Sequence, residues 1–541
     1  MGFPDALQEL LPRLPVDVVL ELLRQEVCLR CIFRFLNVRD AVYSVDLPTT
    51  AEVYSKLLTS RNYREEDHKR FKSSELDRSL PGEATCLVCL GVLQHLHPAV
   101  GAESQADGAH KYENNAISCI LKAFRDRGHS VEGTFCLEVS VTALVLLRER
   151  GLWCFLKDHF KEEALFSGED VNDHIVSIKE AVKWSLLEGL ENSLSAKFDA
   201  TATLRIALVF KHPGCPADAK FLTAASAGGD SKRKRHGQQE SESQGFAAVV
   251  AARGVSEAGE TLAAVQRCLA SMNNELFMES YQCPPSKVNS PCEITAVTWR
   301  NPVFVGGRYL KYSRNVSQSR WVIEEERMGE ASVQEIIGDV VMPYYNADTY
   351  KFHAAGREDI DVRMLGTGRP FIIELLNARR IPSAEEIQKA ELDINGQKEG
   401  WVKVKGLRRV GVEVCSLMRQ GEIEKQKEYV AVVWLDRPVT QADFERLSNL
   451  KELEIQQKTP VRVLHRRSPL IRPRTIHWMR CEPLKGSDNY FLLHLCTQAG
   501  TYIKEFVHGD LGRTYPNVGS LLGCAADILQ LDVVDVKMEF E

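Results

Sequence analysis

The chain has 541 residues and a mass of 60.9 kDa, too long for one hydrophobic core at roughly 100 to 200 residues per domain, so about three domains are expected. With 44% hydrophobic and 26% charged residues and a mean hydropathy of -0.22, the composition is that of soluble globular proteins and excludes collagen-like and wholly disordered classes. The net charge of -6 speaks against a nucleic-acid partner only until it is divided along the chain. Residues 301–541 hold 34 Lys+Arg and 34 Asp+Glu, which leaves 34 basic and 40 acidic residues in 1–300. The acid excess therefore belongs to the first part.

No run approaches 18 apolar residues, so no membrane-spanning segment is expected. Acids at Asp5 and Glu9 precede any apolar run, and Ala6 stands where a myristoylation signal needs Ser or Thr, so an intracellular protein is the expectation. Fifteen cysteines in such a chain argue against a disulfide framework. Two Cys-x-x-Cys pairs occur, Cys28/Cys31 and Cys86/Cys89, where about 0.4 would arise by chance. Each pair can present two thiolates to one tetrahedral zinc, and together they would close a structural site with no open position for chemistry. The 54 residues between the pairs exceed the usual zinc-ribbon gap, and small buried hydrophobes are the alternative.

Further along, Phe135 to Val141 alternates like a half-buried strand, Leu144 to Leu156 reads as a helix, and Leu204 to Phe210 as a second strand, an α+β pattern. Thr223 to Gly245 lacks every large apolar residue and is expected to be a disordered linker. Within it, Lys232-Arg233-Lys234-Arg235 is either a nuclear-import signal or a solvated basic patch.

After the linker, Glu293 to Gly306 reads as a strand pair, Val333 to Val341 as a helix and Phe371 to Leu375 as a buried strand. Val430 to Trp434, Val461 to Leu464 and Phe491 to Leu495 are further strand candidates, with a helix near Ala442 to Asn449. Strands outnumber helices without a βαβ rhythm, which predicts a mixed, mostly antiparallel sheet with helices packed on it.

Three segments carry chemistry. Gly307-Arg308-Tyr309 running into Lys311-Tyr312-Ser313-Arg314 interleaves cations and aromatics, suited to phosphate contact and base stacking or to an exposed hairpin rim. Arg357 to Arg363 packs three carboxylates and two guanidiniums into seven positions, either a surface turn with local ion pairs or a reactive loop. Lys458 to Arg480 has seven basic residues and no acid, interleaved with His465, His477 and Trp478, which points to an anionic partner. Against these, no His is followed two residues later by Glu as a zinc deaminase needs, and there is no H-E-x-x-H and no Gly-Lys phosphate loop. Gly366-Thr367-Gly368 lacks the third glycine of a dinucleotide fingerprint and reads as a turn.

The Gly356-Arg357-x-Asp359 context resembles the pseudouridine synthases, whose shared catalytic residue is an Asp. The wider run resembles the Pus-ten family of tRNA pseudouridine synthases. It comprises Cys28 to Phe35, Cys86 to Gly91, Val209 to Pro213, Gly307 to Asn315, Gly356 to Arg363, Lys458 to Arg467 and Gly500 to Asp510, collinear over nearly the whole chain. The resemblance implies isomerisation of uridine at positions fifty-four and fifty-five of the TΨC arm of tRNA, without a catalytic or nucleotide cofactor. Asp359 would be the nucleophile. Arg357 would fill the space left by the flipped base, Lys504 would be the basic partner of Asp359, and Tyr429 would stack on the uracil. Ile503 and Leu529 would be apolar walls, with Arg308 contacting substrate.

The implied organisation is a four-cysteine zinc module with a helical N-terminus at 1–110, a THUMP-like RNA-binding domain at 111–222, the linker at 223–262 and a pseudouridine synthase catalytic domain at 263–541. A monomer in nucleus or cytoplasm is expected. The alternatives are a catalytically silent RNA scaffold, or another THUMP enzyme such as a thiouridine synthase. The nucleotide loop of the latter is matched only out of order, by Ser226 to Ser231.

Overall fold

The computed structural model describes residues 4–39, 41–50, 84–94, 115–161, 163–166, 174–214, 262–418, 425–465, 467–538 and 540, with a few isolated positions between these runs. The predicted linker to residue 261, and the basic tetrapeptide within it, lie outside the described residues. The chain forms two compact units, Met1–Trp299 and Arg300–Glu541.

In the first unit, helices α1 (Asp5–Leu10), α2 (Val16–Arg24) and α3 (Leu29–Phe35) are followed by α4 (Ala116–Arg127), β1 (Thr134–Ser140), α5 (Leu144–His159) and α6 (Ile178–Leu194). Next come β2 (Lys197–Phe198), β3 (Leu204–Lys211), α7 (Leu262–Ala270), α8 (Asn274–Ser280) and β4 (Glu293–Arg300). The sheet order is β2-β1-β3-β4, with β1 parallel to both β2 and β3. Cysteine knuckles, helices and sheet share one apolar core that includes Phe33, Cys86, Trp153 and Phe210, so residues 1–110 do not form a core of their own.

Each side chain of the buried Arg148-Glu149-Arg150 run in α5 has polar partners. Arg148 pairs with Asp218 at 2.8 Å, Glu149 with Arg34, and Arg150 donates to the carbonyls of Leu269 and Met272. Breaking such a pair strands a charge in low dielectric, which is why each has its partner.

Glu293 to Gly306 does hold two strands, but they are not paired with each other. β4 adds to β3, whereas β5 (Val303–Lys311) lies between two strands of a different sheet. The division between units consequently falls at 299/300 and not at 262/263, because β4 completes the first sheet.

The second unit continues with α9 (Val333–Tyr345), β6 (Thr349–Ala354), β7 (Arg363–Leu376), α10 (Ala384–Asn395), β8 (Val402–Val410), β9 (Lys427–Leu435), α11 (Gln441–Ser448) and β10 (Lys451–Lys458). It ends with β11 (Ile471–Pro483), β12 (Tyr490–Thr497), α12 (Ile503–His508), β13 (Thr514–Tyr515), α13 (Val518–Leu522) and β14 (Ala526–Val536). The order is β8-β5-β7-β14-β9-β12-β11-β10-β13, with β6 also on β7. Among the described residues every pairing in this sheet is antiparallel except β7 with β14, so the expected mixed, mostly antiparallel sheet is what forms.

Local chemistry sets the helix starts: Ser383 with Glu386 and Thr440 with Asp443 form capping boxes for α10 and α11. Val461 to Leu464, expected as a strand, is instead a single 3-10 turn at 461–463 beginning after Pro460. The turn leaves Val463 buried and Val461 exposed, whereas a strand would put the two valines on one face.

β7 organises this sheet. Its residues 371–376 pair with β6 on one edge, while 363–364 pair with β14. Gly366 and Gly368 take the left-handed φ of 62° and 82° at a register shift between the two parts, and a Cβ at Gly366 would stand 1.8 Å from the Val534 carbonyl. The Gly-Thr-Gly turn is thus the bulge that lets β7 change neighbours. The loop from Ala355 to Val362 joins β6 to β7 beside this changeover.

Candidate active site

The β6–β7 loop forms one wall of a cleft of about 250 Å³. Arg357 and Asp359 come from the loop, Lys427 and Tyr429 from β9, and Arg462 and Arg467 from the turn after β10. Ile503 and Lys504 come from the start of α12, with Leu531 and Val533 from β14.

Five charges alternate in sign across it. Asp361 accepts from Lys504 Nζ at 2.7 and 2.9 Å, and Lys504 lies 3.8 Å from Asp359 Oδ2. Arg462 reaches Asp359 at 3.0 Å and, through Nε, Glu505 at 2.7 Å. Asp359 is the centre of this chain, and its side chain keeps 40% of its exposure, whereas Glu505 keeps 2%. Burial pushes Asp361 up, but hydrogen bonds from Lys504 and its charge more than offset that and leave the carboxyl below its ordinary value.

The loop itself is held from beneath. Glu358 is buried, and the Tyr309 hydroxyl donates to its carboxylate, 2.9 Å from both oxygens, while the carboxylate lies 2.9 Å from Arg369 Nε. Arg369 also donates to the Ala355 carbonyl at 2.7 Å, and Gln318 donates to the Gly356 carbonyl at 2.8 Å. The loop is therefore not the surface turn with local ion pairs that its composition allowed. Tyr429 faces the cleft from the register pair Tyr429–Val533. Burial pushes its hydroxyl up to about 12, Arg369 drawing it back and Glu358 adding to the rise, so the phenol stays protonated at neutral pH.

Of the residues singled out in sequence, Asp359, Arg357, Tyr429, Ile503 and Lys504 line this cleft, and two do not. Leu529 is 54% exposed, because a register shift leaves it unpaired between Val432–Gln530 and Val433–Ile528 and turns it off the alternation that puts Leu531 and Val533 inward. Arg308 is spent on the carbonyls of Gly368 and Met538. Arg462, which makes the shorter ion pair to Asp359, was visible only as one of seven cations in the basic run, and Lys504 was given its role.

In the first unit, the Sγ atoms of Cys28, Cys31, Cys86 and Cys89 lie within 4.8 Å of one another, the one metal-competent group among the described residues. Three of the four residues are buried, and the Cys28–Cys89 Sγ separation is 3.8 Å. A tetrahedron with metal–sulfur bonds of about 2.3 Å has edges of ~3.8 Å, so the donor set fits a metal.

Both units match family models: "Eukaryotic Pus10, N-terminal" over residues 86–298 and "Pus10, C-terminal" over 304–537. The human protein named tRNA pseudouridine synthase Pus10 is 33% identical over 551 residues, covering 96% of each chain. The chain belongs to the Pus10 family. The mouse Pus10 is 36% identical over 88% of this chain and 83% of its own, and the Pus10 of Thermofilum pendens is 38% identical over 44% and 53% respectively. Membership in the Pus10 family makes the protein an isomerase, a pseudouridine synthase, and the described residues include no helix long and apolar enough to cross a membrane.

Leu529 and Leu531 separate this geometry from the pocket wall that the resemblance implies. Leu531→Ala is expected to lower pseudouridine formation about tenfold or more, as loss of apolar pocket contact does. Leu529→Ala should leave both rate and thermal midpoint near wild type, as exposed substitutions usually do within about 0.5 kcal/mol. Single-turnover conversion and thermal unfolding of both variants check the pair.

Proposed function

We propose that the protein isomerises uridine in the TΨC arm of tRNA, at position fifty-four, fifty-five or both, with Asp359 as nucleophile. The observation that carries this reading is the placement of Asp359 at the centre of the charge chain, opposite Tyr429. In the isomerisation the N1–C1′ bond breaks, a C5–C1′ bond forms, N1 gains a proton and the C5 hydrogen leaves to solvent. A carboxylate serves this by attacking the base or the anomeric carbon, and either route needs it ionised. Arg462 and Lys504 stand on either side of that carboxylate, at 3.0 and 3.8 Å.

A uridine in a folded arm must leave its stack to reach Asp359. Arg357, exposed at the lip, is suited to occupy the vacated space, and Tyr429 with Ile503 and Leu531 to sandwich the base. Arg467, fixed by a 3.0 Å bond to the Tyr502 hydroxyl, is suited to the backbone phosphates.

The first unit we read as a THUMP-type tRNA-gripping module built round a zinc held by Cys28, Cys31, Cys86 and Cys89. With four protein ligands the ion would supply folding energy and no chemistry. The protein would act as a monomer in nucleus or cytoplasm.

An unmodified tRNA transcript carrying tritium at uridine C5 should release label to water with no added metal, nucleotide or methyl donor, and mapping should place the product in the TΨC loop. Label retained, or product only elsewhere, would sink this reading. Metal analysis should give about one zinc per chain, lost in the Cys86→Ser, Cys89→Ser double variant; unchanged metal would make these cysteines simple core.

A further inference from the structure

Lys311, the last residue of β5, is fully buried, and among the described residues no acidic side chain bonds to its ammonium. Its three donors go to three backbone carbonyls: Val316 at 2.8 Å, Ile360 at 2.9 Å and Asp359 at 3.1 Å. A buried ammonium carries a large desolvation cost, and here it is set against neutral oxygens, two of which belong to the reactive loop. Backbone pairing of Lys311 with both Met364 and Val402 fixes its own position in the sheet. The Asp359 peptide is thereby bolted to a strand interior, at the one residue whose side chain must project into the cleft.

We propose that Lys311 is a positioning residue for the isomerisation, its ammonium holding the Asp359–Ile360 backbone so that the Asp359 carboxylate meets the uridine, and that loss of its proton releases this hold. The inference rests on the reading of Asp359 as nucleophile. A neutral amine has two donors and a lone pair facing three carbonyls, so one contact turns repulsive. The groups facing the ammonium are Glu358, Asp359 and Asp361 on the loop and Arg369 on β7. Burial pushes the amine down from 10.5 to about 8; the three acids raise it and Arg369 lowers it further.

The sign of the linkage distinguishes this role from a merely structural one. A lysine whose folded value is depressed costs stability while protonated, and that cost is relieved as pH rises from about 8 towards 10.5. Its contribution to stability therefore improves with pH across the window in which its hold on the loop is lost. Activity and stability should move in opposite senses.

The test compares full-length wild type with Lys311→Met, which keeps length and burial but has no charge or donor. Single-turnover tritium release, tRNA affinity and thermal midpoint are followed from about pH 6.5 to 9.5. Wild type should show an alkaline fall in rate with a midpoint near 8. Lys311→Met should bind tRNA within about threefold of wild type, react about 100-fold more slowly and lack that limb. A variant rate within about threefold of wild type, or an alkaline limb kept in the variant, would overturn the inference. If the variant does not fold, the wild-type profile decides, and a rate flat through about pH 9 rejects the proposal. No release by wild type at any pH would instead reject the functional reading, and the inference with it.

Discussion

The site depends on how two cations are shared among three carboxylates. Arg462 and Lys504 each divide their charge between Asp359 and an outer acid, Glu505 or Asp361. The outer acids fix the cations in place, so Asp359 does not have to order them itself. A fixed array of this kind costs no reorganisation at the moment of reaction. It also explains why the acidic and basic counts of residues 301–541 can balance while the cleft itself is strongly polarised.

The sheet supplies the rigidity that this array needs. The loop bearing Asp359 springs from the point where β7 exchanges β6 for β14, and the Gly366–Gly368 bulge makes that exchange. Beneath the loop, the buried Glu358–Arg369 pair and the Tyr309 and Gln318 side chains hold its backbone. The two layers do different work: the lower fixes the peptide, and the upper sets the electrostatics at the carboxylate. The first unit carries its own polar solution, in which Arg148 and Glu149 of α5 are paired with charges distant in sequence and Arg150 is hydrogen-bonded to backbone carbonyls. One of these ties reaches a cysteine knuckle directly, because Arg148 also donates to the Leu87 carbonyl at 2.8 Å.

Much of the sheet was legible because period-two alternation marks a strand wherever one face is buried, as in Val430 to Trp434 and Phe491 to Leu495. The same signal misled at Val461 to Leu464, where Val-Arg-Val alternates in sequence but a single tight turn buries only Val463. It was silent at Leu529, since a bulge shifts facing by one residue without a compositional mark. The Asp359 carboxylate was legible from its motif, but its shorter cation contact was not. Arg462 and Asp359 are 103 residues apart, and which of many cations turns inward is decided by tertiary packing. The unit boundary was missed for a related reason: a strand's sheet is chosen by its edge partners, not by its neighbour in sequence.

The central claim is that the Asp359 charge, and not merely its shape, drives the isomerisation. Asp359→Asn tests it most directly, because the amide keeps volume and geometry and removes the charge. Measured by single-turnover tritium release beside tRNA affinity, the variant should lose about three or more orders of magnitude in rate while binding as wild type does. Release within about tenfold of wild type would contradict the account.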